Sequence, residues 1–415
     1  MRNNKIALSL VILVLSITLS SVGAIYNDSL FDYISLFDIP KDGSNIINIV
    51  YVSVDGDDNN SGTMDDPVQT LQKVMEIVND GFNIDPSVKV NVAINNLELV
   101  NGYSITSGGA IFNNGSDLNL SDCVIDSNTA KEDGGGIFIT GGGTNHIINC
   151  SFTNNQASNR GGGISITKTS TRCYISDCNF TNNNAQYGDG IHSGQDNNPP
   201  IFNCIITNNH AMSYGGGVYV NKGMGNFTCC DISSNSASDG GGININEGIA
   251  NFLNCSINFN NATDGGGMSI INGTGVITDC HYGNNIAVNG NGGALKNNHH
   301  CTFYGSSRSN SHFEFNQARY GGAIYNTING VINKKTEFRT VFNGNNASQE
   351  GGGIYDIGTL INMSYLIMQN NQANTSFGGG AIATVSDISK FKSDNNNYID
   401  NNLPNDFRQL SKGVR

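Results

Sequence analysis

A short glycine signature recurs eleven times in this 415-residue chain and decides what the chain can fold into. It reads GGAI at Gly108 to Ile111, GGGI at Gly134 to Ile137 and again at Gly161 to Ile164. Later copies close on Ile191, Val218, Ile243, Met268, Leu295, Ile324, Ile354 and Ile382, so successive closing residues lie 26, 27, 27, 27, 25, 25, 27, 29, 30 and 28 positions apart. A period of that size marks one structural unit stacked on copies of itself.

Inside the unit the apolar period is two. In Ile147 to Ile166, Cys150 and Phe152 point one way, as do Ile164 and Ile166 after the glycines. The cysteine recurs as Cys123, Cys150, Cys178, Cys204, Cys230, Cys255 and Cys280, preceded in most units by Asn or Asp and, three residues before, by an apolar residue. That offset of three breaks the alternation at a residue type that tolerates the left-handed conformation, so a corner is expected there. An asparagine follows, as Asn128, Asn155, Asn183, Asn209, Asn235, Asn260 and Asn285, then Asn316, Asn345 and Asn371, with an alanine two residues on. Two or three short strands per unit are expected.

Consecutive glycines would each cost about 1 kcal/mol in a helix, which excludes helical repeats. There is no Leu-x-x-Leu-x-Leu pattern, and propeller blades need longer units. The expected fold is all-β: a right-handed parallel β-helix of about eleven coils, its equivalent strands ~4.8 Å apart, so that each recurring residue stacks into a ladder. The asparagine ladder is expected to pass amide hydrogen bonds along the stack. The cysteine ladder reads as buried thiols acting as small hydrophobes; disulfides between coils are the competing reading, disfavoured because parallel equivalent side chains do not reach the required dihedral. Cys173, Cys229 and Cys301 lie off the column, with Cys229 and Cys230 expected on opposite faces of a strand.

Residues 1–24 carry Arg2 and Lys5, an apolar run and a small-residue exit at Ala24, the pattern of a secretory signal. Residues 25–87 form an N-terminal segment with a strand at Tyr51 to Asp58 and an amphipathic helix, capped by Asp66 and ended at Gly81, placed to cover the first coil. The solenoid is expected over 88–402, with a polar tail over 403–415. No later run reaches the ~18 apolar residues of a spanning helix, so export without membrane insertion is expected. A net charge of −13 with 21 Lys plus Arg offers no basic stripe for phosphates, which excludes nucleic acid as a partner. Thirteen N-x-[ST] sequons make a glycoprotein the expectation if the host glycosylates, restricted to exposed turns.

The residue before the glycines varies, and chemistry would have to come from there. Asp239 and Asp264 occupy it in adjacent units and form a candidate Ca²⁺ or acid/base pair. Tyr187, Tyr214 and Tyr320 share it and could serve as stacking platforms for a ligand. One unit replaces its middle glycine with Asp189 and carries His192 three residues on, with Arg172 a unit earlier; this is the other acid/base candidate. Asp55, Asp57 and Asp58 make a further possible Ca²⁺ loop, without EF-hand spacing. No cofactor besides Ca²⁺ is suggested.

The GGA[IL] or GGGI and FxxN strings, among them Phe152 to Asn155, Phe180 to Asn183, Gly292 to Leu295, Gly321 to Ile324 and Gly379 to Ile382, resemble the repeats of the polymorphic outer-membrane proteins. The passengers of those proteins are similar to right-handed β-helices of the pectin-lyase-like class. The opening YVSVDGDDNNSGTMDDPVQTLQKV is similar to the entry segment of that class, and the resemblance covers Tyr51 to Asn402. It implies adhesion or surface recognition, with extracellular glycans or surface proteins as partners of a secreted or cell-surface chain. Two other uses stay open: a polysaccharide lyase or hydrolase working through Asp189, His192, Asp239 or Asp264, and a structural coat or matrix component.

Overall fold

The computed structural model describes residues 33–36, 50–53, 59 and 91–411, apart from short stretches at 116, 168–171, 196, 307–309, 336, 375, 377 and 393. The expected signal sequence, the expected capping helix and the expected Ca²⁺ loop of Asp55, Asp57 and Asp58 lie outside the described residues.

The chain winds into a right-handed parallel β-solenoid of about twelve turns. Four sheets run along it, of 13, 12, 12 and 10 strands, so a coil has four strands where two or three were expected. One coil shows the plan. Thr144–Ile148 precedes the cysteine, Ser151–Thr153 follows it, Gln156–Ala157 follows the asparagine and Ile164–Ile166 follows the glycines. Equivalent strands pair in register, with Ile147 beside Ile175, Phe152 beside Phe180 and Ile164 beside Ile191.

Left-handed residues make the corners. The expected one sits just before the cysteine, where Asp122, Asn149 and Asp177 have φ of 55°, 52° and 56°. A second, not anticipated, sits just before the ladder asparagine, at Ser127, Asn154 and Asn182 with φ of 57°, 54° and 55°. Short polar side chains stabilise this conformation locally. Cys229 occupies a corner of the first kind with φ 55°, so it does not lie opposite Cys230 on a strand as expected; the turn itself throws its thiol outward. The first glycine of each signature also has positive φ, and the second, wherever it is glycine rather than Asp189, leaves no room for a Cβ without a shift of the backbone around it. A Cβ on Gly216 would run into the carbonyl oxygens of Gly241 and Ser236 in the neighbouring coil.

The core is a continuous column. Ile147, Cys150, Phe152, Ala157, Ile164 and Ile166 are all buried, as are most of their equivalents along the rod. Aromatic rungs stack face to face, Phe152 on Phe180 at 4.6 Å and Phe313 on Phe342 at 4.9 Å. All ten cysteines are free thiols, and those of the ladder are buried. Burial pushes the off-column Cys173 thiol up to about 12.

At the N-terminal end, Tyr33–Leu36 pairs antiparallel with both Val50–Ser53 and Asn91–Asn95, the first coil strand. An extra antiparallel strand thus covers the exposed edge of this sheet. At the other end the last paired strand is Phe407–Gln409, beside Ile382–Thr384. The solenoid therefore extends past residue 402 into what reads in sequence as a tail.

Candidate functional site

The strands after the glycines put two side chains of three into the core and one outward. The outward row reads Phe112, Phe138, Ser165, His192, Tyr219, Asn244, Ser269, Lys296, Tyr325 and Tyr355. Outward residues of a strand ordinarily face water, yet Ser165, His192, Tyr219, Asn244 and Ser269 are buried. The cause is the glycine bend, which folds the residue before the glycines back over this row. The two rows together form a seam parallel to the rod axis.

In the seam, Tyr187 stacks on Tyr214 at 5.6 Å and on Tyr219 at 5.6 Å, and Tyr219 stacks on His192 at 5.7 Å. Tyr320 belongs to a second cluster, with Tyr355 at 5.0 Å and Tyr325 parallel to Tyr355 at 5.3 Å. The structure thus joins Tyr187 to Tyr214 and sets Tyr320 apart. Tyr219, Tyr325 and Tyr355 escape a sequence reading because their row changes residue type from coil to coil.

Asp239 and Asp264 do stack, as neighbours in register. Between them comes Lys296, whose Nζ lies 2.9 Å from Asp264 Oδ2 and 3.6 Å from Asp239 Oδ2. Asp264 Oδ1 also accepts from the Asn291 backbone N–H at 2.7 Å. The pair is the acidic half of an ion-paired triad. Burial raises the pKa of Asp239 against the lowering influence of Lys296, while the two carboxylates raise that of Lys296 against burial.

Asp189 and His192 are both buried and share no hydrogen bond. Asp189 Oδ1 accepts from the Ala185 N–H at 2.8 Å, and burial holds its carboxyl well above the usual range. His192 Nδ1 lies 2.9 Å from Ser165 Oγ, and burial pushes its pKa down to about 3. The arginine whose charge reaches this imidazole is Arg160; Arg172 is exposed on the sheet before the cysteines.

Among the described residues, several buried side-chain atoms of the seam lack a hydrogen-bond partner: Arg160 Nε, His192 Nε2, Asn244 Oδ1 and Glu350 Oε2. Among the described residues no group of three or more His, Cys, Asp or Glu is placed to hold a metal ion, and no helix is long and apolar enough to cross a membrane.

The asparagine ladder is structural in its geometry. Each amide donates forward to the next asparagine's Oδ1 and back to a carbonyl of the preceding coil, as Asn155 does to Asn183 at 3.0 Å and to the Ile125 oxygen at 2.8 Å. It runs one rung further than the sequence indicates, to Asn402, which receives Asn371 Nδ2 at 2.8 Å.

No curated protein and no solved structure matches the chain significantly. Two segments, residues 149–167 and 339–356, match the family model of the Chlamydia polymorphic membrane protein repeat. Each segment covers the stretch from the ladder asparagine through the glycines into the following strand, so two coils of this chain are similar to that repeat.

Proposed function

We propose that this protein is a surface-displayed recognition rod of the pectin-lyase-like kind, exported to the cell exterior, which binds glycans or surface proteins along its flank without cleaving them. The observation that carries the reading is the seam: a continuous polar and aromatic strip built by the repeat itself. The match to a repeat whose family is named for membrane proteins supports a surface location. The candidate acid/base groups are engaged otherwise. Lys296 holds Asp239 and Asp264, while Asp189 Oδ1 and His192 Nδ1 are each tied to a different neighbour and the two side chains share no hydrogen bond. A general acid and base acting on a polysaccharide need to work as a pair on one glycosidic bond.

The test is to present the purified chain, with and without Ca²⁺, to arrays of glycans and of cell-surface proteins, and to size every captured polysaccharide afterwards. Saturable capture without shortening is expected. Shortening that disappears in Asp189→Asn or Asp239→Asn would replace this reading with a lyase or hydrolase, and the lack of any saturable ligand would favour a structural coat.

A further inference from the structure

We propose that the seam is a two-platform groove for an extended, uncharged glycan lying parallel to the rod axis. The proposal rests on the recognition role above and names its ligand class and its place on the molecule.

Three observations lead there. First, the aromatic residues are grouped. Tyr187, Tyr214 and Tyr219 form one cluster, and Tyr320, Tyr325 and Tyr355 form the other. From Tyr219 to Tyr325 the outward row advances four coils, through Asn244, Ser269 and Lys296, a span of roughly 19 Å at the ordinary strand spacing. The Asp239, Lys296 and Asp264 triad lies between them along the two rows. Tyrosine offers an apolar ring edge and a hydroxyl together, which suits a sugar's mixed surface.

Second, the floor contains polar atoms without partners. Arg160 Nε is a donor, Asn244 Oδ1 and Glu350 Oε2 are acceptors, and His192 Nε2 takes either role according to tautomer. Buried polar groups are nearly always hydrogen-bonded, so unpartnered ones along a single seam point to water or a ligand there. Donors and acceptors interspersed match hydroxyl groups, each of which does both.

Third, the charges of the seam are internally opposed. Arg160 faces Asp133, Lys296 lies between Asp239 and Asp264, and Arg408 Nη1 is 3.5 Å from Glu350 Oε1. Arg319 lies over the Tyr320 ring at 5.3 Å. A sulfated or uronate chain would need a cation free of such a partner; Arg160, Lys296 and Arg408 each have a carboxylate beside them, and Arg319 is taken up by the Tyr320 ring. Because every coil adds one step of the same height, a ligand following the seam runs along the rod and can engage both clusters at once.

The experiment measures affinity for neutral β-glucan, galactan and mannan oligosaccharides from two to ten sugars, beside sulfated and uronate chains. It uses the wild-type chain, the pair Tyr187→Ala/Tyr214→Ala and the pair Tyr325→Ala/Tyr355→Ala. Tyr174→Ala/Tyr304→Ala, exposed on the sheet before the cysteines, serves as the control, and Tyr187→Phe/Tyr214→Phe covers the case that the alanine pair fails to fold. Expected are tenfold or greater tightening for neutral chains long enough to reach across ~19 Å, and loss of that gain in either seam pair but not in the control. Equal affinity for short and long chains, indifference to the seam pairs, or a preference for anionic chains would overturn the proposal. Capture of surface proteins but of no glycan would overturn it while leaving the recognition role intact; capture of nothing would overturn both.

Discussion

Asn183 and Asn209, 26 residues apart in sequence, meet twice: the Asn183 side-chain amide and its backbone N–H both donate to Asn209 Oδ1, at 3.0 and 2.9 Å. Asn209 repeats the gesture toward Asn235 and also donates to the Phe180 carbonyl at 3.0 Å. Removing one such side chain strips partners from buried groups on both sides. Each orphaned group costs about 1–3 kcal/mol. Asn209→Ala is therefore expected to destabilise the rod by about 3 kcal/mol or more. Equilibrium urea unfolding checks it, and an unchanged midpoint would show that the ladder is not what holds these corners.

That ladder was legible in the sequence because a stacked column repeats its residue type, and so was the corner before the cysteine, where Asn and Asp recur. The second corner was hidden: the strand after it is only two residues long, as at Gln156–Ala157, too short to show an alternation. The seam was half legible. Tyr187, Tyr214, Asp239 and Asp264 share one repeat position, whereas Lys296 lies 32 residues beyond Asp264 in an outward row that no pattern marks. A period reports what the backbone demands of every coil, and interactions particular to one pair of coils leave no period.

His192 gives the fold an acid-side weakness. Its pKa is about 3 in the folded chain, chiefly through burial, against 6.5 for an ordinary histidine. Between those values the unfolded chain binds a proton that the folded chain refuses. The stability it contributes is complete above about pH 6.5 and is lost as pH falls toward 3, on the order of 5 kcal/mol in all. The raised carboxyls of Asp189 and Asp239 act in the opposite sense, favouring the fold as pH falls. The informative quantity is thus the difference between wild type and His192→Asn. Unfolding free energies at pH 7 and pH 4 should show a smaller acid loss in the variant; parallel losses would mean the imidazole is not the group responsible.

Cys229 should be the one cysteine of ten that reacts in the native state. Its left-handed corner exposes the thiol, whereas the ladder thiols are buried and donate to backbone oxygens, as Cys178 does to Ser176 at 3.1 Å. Titration with a chromogenic disulfide should release one equivalent quickly from folded protein and ten in denaturant, with the fast equivalent missing in Cys229→Ser. More than one fast equivalent would mean that the ladder opens.

Phe259 occupies a left-handed corner, φ 57°, where most other coils place Asn, Ser or Gly, and it is 61% exposed. The conformation costs a bulky residue roughly 1–2 kcal/mol, and exposure leaves little burial to offset it. Phe259→Asn is expected to raise the unfolding midpoint by an amount equivalent to about 1 kcal/mol. A loss of stability on the same measurement would show that the ring packs productively on its neighbours.

Lys296 is the test of how the stacked carboxylates are held. With side chains only 18–27% exposed, Asp239, Lys296 and Asp264 interact where solvent screens them weakly. Removing the ammonium leaves two carboxylates in adjacent coils, facing each other without a cation. Lys296→Met is expected to cost about 2 kcal/mol at pH 8, mostly as repulsion and desolvation of the surviving charges rather than as a lost attraction. The cost should shrink as pH falls, because a proton on Asp239, whose carboxyl is already raised, removes the repulsion. Adding Asp264→Asn to Lys296→Met should recover most of the stability, giving a coupling energy of opposite sign to the single effects. Urea unfolding of the four chains in the cycle at pH 8 and pH 5 measures it. A cost that is the same at both pH values, or that the second substitution does not relieve, would mean that Lys296 supports the seam through its packed alkyl chain and not through its charge.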